Sequence, residues 1–111
     1  MSKPQERRNF ERVAIPLAAG VYVATPEGQR VGNVVMLGRG GFLLETKSKF
    51  SAGQTIPFVL VDEAEGIHTP VRATVRYSHR EGVGFEFVEL NADAAVEVGV
   101  VVGKHYSKGS A

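Results

Sequence analysis

Three arginines near the N-terminus have the residue type and spacing to bind phosphate. Arg8 and Arg12 are four residues apart, and Arg7 directly precedes Arg8. A guanidinium group is a planar fork of donors that matches phosphate oxygens and the O6/N7 edge of guanine, and it also stacks on purine faces. These residues predict an anionic purine ligand. The alternative is a solvated arm whose charge is partly neutralised by Glu6 and Glu11.

A glycine-rich turn, GRGG at residues 38–41, is the second stretch that can contact a ligand. Successive backbone N–H groups can form a nest for an anion, and Arg39 adds a cation beside them. The alternative is an ordinary hairpin turn in which glycine supplies a positive φ. The turn lacks the Lys-Ser/Thr pair of a phosphate-binding P-loop, and no helical pattern follows it.

Residues for catalysis or metal binding are not arranged in a usable pattern. No serine lies in a nucleophile elbow, and His68, His79 and His105 lack metal-ligand spacing. The acidic pair Asp62 and Glu63 lies beside a turn and is expected to be a solvated strand end. The sequence therefore predicts a binding protein rather than an enzyme, with no metal and no cofactor.

Size and charge narrow the class of partner. The 111 residues are enough for one domain, and the net charge is +1. A near-neutral chain with a single aromatic residue in its arm, Phe10, is a poor RNA- or DNA-binding barrel. The absence of cysteine fits a reducing compartment, and no apolar run approaches 18 residues. We expect a cytoplasmic protein without membrane insertion.

The elements that position these residues follow from period-two alternation and turn signals. The expected fold class is all-β with a C-terminal helix, a six-stranded antiparallel β-barrel. We predict a flexible basic arm over residues 1–12, the barrel and helix over 13–106, and a tail over 107–111. The predicted strands cover residues 15–25, 30–37, 42–47, 54–63, 69–80 and 83–90, and the helix covers 93–106.

Two strands and the helix carry the clearest patterns. Residues 71, 73, 75 and 77, ending in Tyr77, form one face of their strand, and Arg72 and Arg76 lie on the solvated face. The next strand is expected to point residues 83, 85 and 87 inward. Asn91 or Asp93 can cap the helix, and cations at residues 104, 105 and 108 suit its C-terminal end.

Three sequence elements in order resemble those of a PilZ domain along nearly the whole chain. RRNFERV matches the RxxxR element, with Arg8 and Arg12 at its fixed positions. VVMLGRGGFLLET is similar to the second element, usually (D/N)xSxxG between two strands. VRATVRYSHREGVGFEFVEL is similar to the last strand pair. The resemblance implies a six-stranded antiparallel barrel with a C-terminal helix, in agreement with the pattern of strands.

The resemblance also implies a ligand, cyclic di-GMP, which is a bacterial second messenger. The arginines would contact phosphates and guanine edges, and the second element would contact the other edge of a guanine. The ligand-binding residues implied by this resemblance are Arg7, Arg8, Arg12, Met36, Gly38, Arg39 and Gly41.

Met36 and Gly38 depart from the family pattern, because they occupy the Asp/Asn and Ser positions, while Gly41 is retained. A thioether accepts hydrogen bonds weakly, so guanine donors lose their acceptor and affinity falls by about 10- to 1,000-fold. Two functions follow. The chain is a cyclic di-GMP receptor of reduced affinity that acts through a protein partner, as a monomer or ligand-dependent dimer. Alternatively, it is a degenerate adaptor that works by protein–protein interaction in motility or surface regulation.

Overall fold

The computed structural model describes residues 12–110. They form seven β-strands and one C-terminal α-helix, with short 3₁₀ turns at Leu17–Ala19 and Glu63–Glu65. The strands are β1 Arg12–Ala14, β2 Val21–Ala24, β3 Arg30–Gly38, β4 Gly41–Glu45, β5 Thr55–Asp62, β6 Ile67–His79 and β7 Gly82–Phe87, and the helix α1 is Ala92–Ser110.

All strand pairs are antiparallel, and the sheet closes on itself. The circuit runs β3–β2–β5–β6–β7–β4, and β4 pairs back onto β3. β1 and β2 share one side of β3, because β1 pairs with residues 36–38 and β2 with residues 30–33. The predicted six-stranded antiparallel barrel with a C-terminal helix is confirmed. The short strands β1 and β2 together occupy one of its six strand positions.

The predicted continuous strand over residues 15–25 is wrong. Pro16 has no N–H to donate to a neighbouring strand, and the 3₁₀ turn Leu17–Ala19 follows it. The turn ends at Gly20, whose φ of 72° lies in the left-handed region that glycine adopts most readily. Arg12, which the sequence placed at the end of the arm, is the first residue of β1. The second arginine of the N-terminal element is therefore held by the sheet.

The barrel interior is filled by alternate strand residues, with three phenylalanines at its centre. Phe85 stacks on Phe42 with ring centroids 4.9 Å apart, and it meets Phe58 edge-to-face at 5.3 Å. Each such pair contributes about 0.5–1.5 kcal/mol beyond its buried area. The inward direction predicted for Val83 and Phe85 is confirmed, since both are buried.

The inward face predicted for β6 is right up to Val75 and wrong for Tyr77, which is exposed. Val75 pairs with Phe85 and Tyr77 pairs with the adjacent Gly84, so Arg76 is an extra residue on β6. Such a β-bulge shifts the alternation by one residue. Tyr77 consequently points to the outside of the barrel.

Helix α1 is capped by Asn91, one of the two predicted caps. Its Oδ1 accepts a hydrogen bond from the Ala94 N–H at 2.8 Å. The helix continues to Ser110, so the predicted end at residue 106 is too early, and residues 107–110 of the predicted tail are helical. It packs against β1, β3 and β6. Burial of this apolar face outweighs the low helix propensity of valine; the buried residues are Ala94, Val98, Val101 and Val102.

An ion pair joins the helix to the barrel. Lys104 Nζ lies 2.8 Å from Asp62 Oδ2 and 3.3 Å from Glu65 Oε2. Desolvation lowers the pKa of Lys104, but the hydrogen bonds and charges of Asp62 and Glu65 outweigh it, so the pKa is raised above its ordinary value. Asp62 is fully buried, so the expectation of a solvated strand end is wrong for it.

Candidate functional site

The sheet register places Arg12 opposite Gly38. Their Cα atoms are partners on β1 and β3, and the pair two residues further along is Ala14 with Met36. Val13, between the two β1 residues, is buried in the core. Because successive strand residues alternate in direction, Arg12 and Ala14 project from the outer face of the barrel. Arg12, the last arginine of the N-terminal element, and the glycine turn thus lie on one surface.

Five of the seven predicted site residues lie on or directly beneath this surface, since Gly38 and Gly41 are buried. We refer to them together as the arginine–glycine surface: Arg12, Met36, Gly38, Arg39 and Gly41. Arg39 is exposed in the turn between β3 and β4. Arg7 and Arg8, the other two predicted residues, lie outside the part of the chain that the structure describes.

Met36 lies in apolar surroundings on this surface. It pairs with Ala14 on one side and with Leu43 of β4 on the other, and both Met36 and Leu43 are half-buried. A thioether and an isobutyl group offer dispersion contacts but no strong hydrogen-bond acceptor. The position where the resemblance implies a carboxylate or amide therefore presents apolar surface to a ligand.

The glycine turn closes without the positive φ that a plain hairpin interpretation requires. In the described chain φ is positive at other residues, namely Gly20, Gly28, Gly53, Gly66, Gly82 and Glu89. The Gly40 carbonyl accepts a hydrogen bond from the Phe87 N–H at 2.9 Å, which fixes the turn against β7. At Gly41 a Cβ would collide with the Phe85 carbonyl oxygen. Close approach of two strands, rather than turn geometry, requires glycine there.

Substitution Gly41→Ala is expected to destabilise the domain by about 1–3 kcal/mol, since the new methyl group must push β4 away from β7. Gly99→Ala is the matched control, because a Cβ at that helical position meets no atom within 4 Å. It should stabilise the helix by about 0.5–1 kcal/mol. Urea denaturation measures both changes. Equal stability of the Gly41→Ala protein would show that the two strands tolerate separation.

Tyr77 is a surface residue that the sequence pattern missed. Its hydroxyl lies 3.5 Å from Arg12 Nη1, and its ring covers Gly84 so closely that a Cβ there would collide with it. The ring of His79 lies 4.9 Å from that of Tyr77 between centroids, tilted by 40°. The period-two pattern predicts Tyr77 on the same face as Val75, which is buried. The signal that points outward is Gly84, because an aromatic ring commonly covers a glycine on a neighbouring strand.

Arg72 and Arg76 are on the solvated face of β6, as predicted. Arg76 Nε lies 3.3 Å from Glu86 Oε1, and Arg72 Nη1 lies 3.5 Å from Glu89 Oε1. All four side chains are more than half exposed, so these ion pairs contribute little to stability. Glu86 is the Cα partner of Gly41, which places the first pair beside the glycine turn.

Other features of the described residues are separate from this surface. A cavity of about 350 Å³ lies over β5 and β6 and is lined mainly by Pro26, Pro57, Pro70 and Leu90. It includes none of the predicted site residues. Over residues 12–110, no group of three or more His, Asp or Glu side chains could hold a metal ion. No helix in that range is long and apolar enough to cross a membrane.

Comparison with known proteins identifies the family. The family model of the PilZ domain matches residues 6–99. The chain belongs to the PilZ family. A search of curated proteins found no match. Among solved structures, this PilZ domain is similar to the PilZ domain with cyclic di-GMP of YcgR from Escherichia coli, with a TM-score of 0.67 and 14% identity over 92% of this chain and 93% of that one. The likeness confirms the fold.

Proposed function

We propose that this PilZ domain binds cyclic di-GMP on the arginine–glycine surface and acts through a protein partner. The placement of Arg12 opposite Gly38 carries the proposal, because it joins the two ligand-binding elements of the family resemblance. The similar YcgR domain was solved with cyclic di-GMP, which supports the choice of ligand. The proposed role is a cytoplasmic binding function rather than catalysis.

The electrostatics of the surface favour a phosphate ligand. Arg12 is the first residue of β1, and its Nη1 lies 3.5 Å from the Tyr77 hydroxyl, a long and weak contact that leaves the guanidinium available to a phosphate. Arg39 adds a second, exposed cation in the neighbouring turn. The resemblance adds Arg7 and Arg8, which precede β1 in sequence. A ligand with two phosphates matches this group of cations better than a neutral ligand does.

Affinity is expected to be modest, because Met36 offers guanine no acceptor. Its neighbours Ala14 and Leu43 do not supply one either. Guanine N1–H and N2–H groups buried against this apolar patch would lose hydrogen bonds that they make in water, at a cost of about 1–3 kcal/mol. Phosphate contacts then provide most of the binding free energy.

Calorimetric titration with cyclic di-GMP tests the proposal, and Arg12→Ala is the decisive variant. We expect it to weaken binding by about 10- to 150-fold, the range for loss of a charge-assisted hydrogen bond of about 1.5–3 kcal/mol. Arg30→Ala is the matched control. Arg30 is exposed at the far end of β3, about 25 Å from Gly38, with its guanidinium 3.9 Å from the Tyr22 ring centroid. It should leave binding unchanged.

Two outcomes would count against the proposal. One is an absence of heat at about 1 mM ligand, because a dissociation constant of that size already corresponds to a binding free energy of only about 4 kcal/mol. The other is an equal loss of affinity in Arg12→Ala and Arg30→Ala, which would mean that binding depends on the overall positive charge of the domain rather than on the arginine–glycine surface.

A second function is favoured by the apolar surroundings of Met36. Met36 and Leu43 are half-buried side by side on an outward face, and apolar surface of this kind suits protein contacts. The alternative is therefore a degenerate PilZ adaptor that binds no cyclic di-GMP and works in motility or surface regulation. Met36→Lys should then abolish capture of the partner from bacterial lysate while the titration stays silent. Tight nucleotide binding without any captured partner would exclude this alternative.

A further inference from the structure

Tyr77 has the geometry of a platform for a flat ligand. The bulge at Arg76 turns its side chain out of the core, and one face of the ring lies on Gly84. About a third of the residue, 36%, remains exposed to solvent. A bulge that redirects one side chain is typical of functional surfaces. The ring thus packs directly on the backbone of β7, because Gly84 has no side chain to separate the two.

The ring is placed to cooperate with Arg12. The guanidinium Nη1 lies 3.5 Å from the hydroxyl, at the rim of the ring rather than over its face. A base stacked on the face would leave its sugar and phosphate at the rim, where the guanidinium can meet them. The His79 ring contacts the Tyr77 ring at a 40° tilt.

Residues in register with Tyr77 extend an apolar row across the outer face. Tyr77 pairs with Gly84, Gly84 with Leu43, and Leu43 with Met36. Leu43 has no hydrogen-bond acceptor and Met36 has only a weak one, so apart from the Tyr77 hydroxyl these side chains offer contact to the flat face of a base rather than acceptors for its edge. A carboxylate does lie nearby at Glu86, and Arg76 engages it at 3.3 Å.

We propose that Tyr77 is the base-stacking residue of this surface, and that the surface holds purine nucleotides by the face of the base. This inference rests on the proposed function and narrows it. Stacking tolerates any base because each base has a π-face, whereas discrimination between guanine and adenine needs contacts to the edge. Arg12 and Arg39 are thereby assigned to the phosphates rather than to the O6/N7 edge of guanine, so the domain should accept cyclic di-AMP nearly as well as cyclic di-GMP.

The test is calorimetric titration of both nucleotides into the full chain and three variants. For the unaltered protein we expect the two dissociation constants to agree within about fivefold, which is below the roughly 1 kcal/mol of the weakest edge contact. Tyr77→Leu should weaken both by about 5- to 100-fold, the range that one stacked base supplies. Tyr77→Phe keeps the ring and should stay near the unaltered protein. Tyr22→Leu, a matched control on β2, should change neither.

Several results would overturn the inference. A preference for cyclic di-GMP above about fivefold would mean that an edge contact survives. Loss of that preference in Glu86→Gln would identify the Glu86 carboxylate as the contact. Equal losses in Tyr77→Phe and Tyr77→Leu would mean that the hydroxyl only positions Arg12. Unchanged binding in Tyr77→Leu would exclude stacking.

Failures of the two proposals are distinguishable. If both nucleotides bind and Tyr77→Leu weakens neither, the proposed function stands and the stacking inference falls. If neither binds, both fall. Should Tyr77→Leu fail to fold, NMR on the unaltered complex decides, because stacking requires nuclear Overhauser contacts between the Tyr77 ring protons and the base protons. Their absence in a saturated complex would refute the inference.

Discussion

The double variant Met36→Asp/Gly38→Ser is expected to bind cyclic di-GMP about 10- to 1,000-fold more tightly than the unaltered domain. A carboxylate at position 36 would project from the outer face two residues from the Arg12 partner Gly38. It would accept the guanine N1–H and N2–H groups, worth about 1–3 kcal/mol, and the hydroxyl would add about 1 kcal/mol. Calorimetric titration measures the gain.

The matched control for this variant is Met36→Leu/Gly38→Ala, which makes similar changes in volume without adding an acceptor. It should leave affinity unchanged. The gain should also be specific for guanine, so that cyclic di-AMP binding stays constant and a selectivity appears that the unaltered surface lacks. If the double variant unfolds at the same temperature as the unaltered domain but gains no affinity, then restoring these two acceptors is not enough to make the domain a receptor. That result would favour the adaptor function.

Lys104→Met is expected to destabilise the fold by about 3–5 kcal/mol, far more than loss of a surface ion pair. The reason is Asp62, which is fully buried and loses its hydrogen-bonded cation. Its other oxygen, Oδ1, is buried and has no hydrogen-bond partner among the described residues. Urea denaturation monitored by circular dichroism gives the free energy of unfolding.

Two further variants distinguish the effect of leaving a buried carboxylate unpaired from the effect of simply removing a positive charge. Lys47→Met removes a lysine from an exposed position and should change stability by less than about 0.5 kcal/mol. Asp62→Leu combined with Lys104→Met removes both charges and should recover most of the stability, because apolar replacement of a buried pair is often neutral. A loss below about 1 kcal/mol in Lys104→Met alone would show that water reaches Asp62.

The strands and the helix were predictable from the sequence because they depend on local period and turn residues. Two errors in this part had local causes that a strict period conceals. Pro16 and Gly20 interrupt the first predicted strand, and the bulge at Arg76 shifts the alternation of β6 before Tyr77. A bulge adds one residue without changing composition, so alternation alone cannot place it.

The surroundings of Asp62 could not be predicted in this way. Its partner Lys104 is 42 residues away in sequence, and only the docking of the helix brings them together. The same holds for the candidate site. The resemblance named both ligand-binding elements, but the register of β1 on β3 and the contact of Arg12 with Tyr77 are long-range facts of the folded chain.

The pairing of β1 has a consequence for how copies of this domain avoid one another. Closed barrels have no unpaired edge to which a foreign strand can add, but β1 is three residues long and, among residues 12–110, pairs on one side only, with β3. Helix α1 packs against β1, and the ion pair of Lys104 with Asp62 holds that helix against the barrel. Weakening the Lys104–Asp62 ion pair is expected to loosen α1 from β1, and the free edge of β1 would then accept a foreign strand while most of the barrel stayed intact. Self-association should then begin at lower denaturant concentrations than global unfolding.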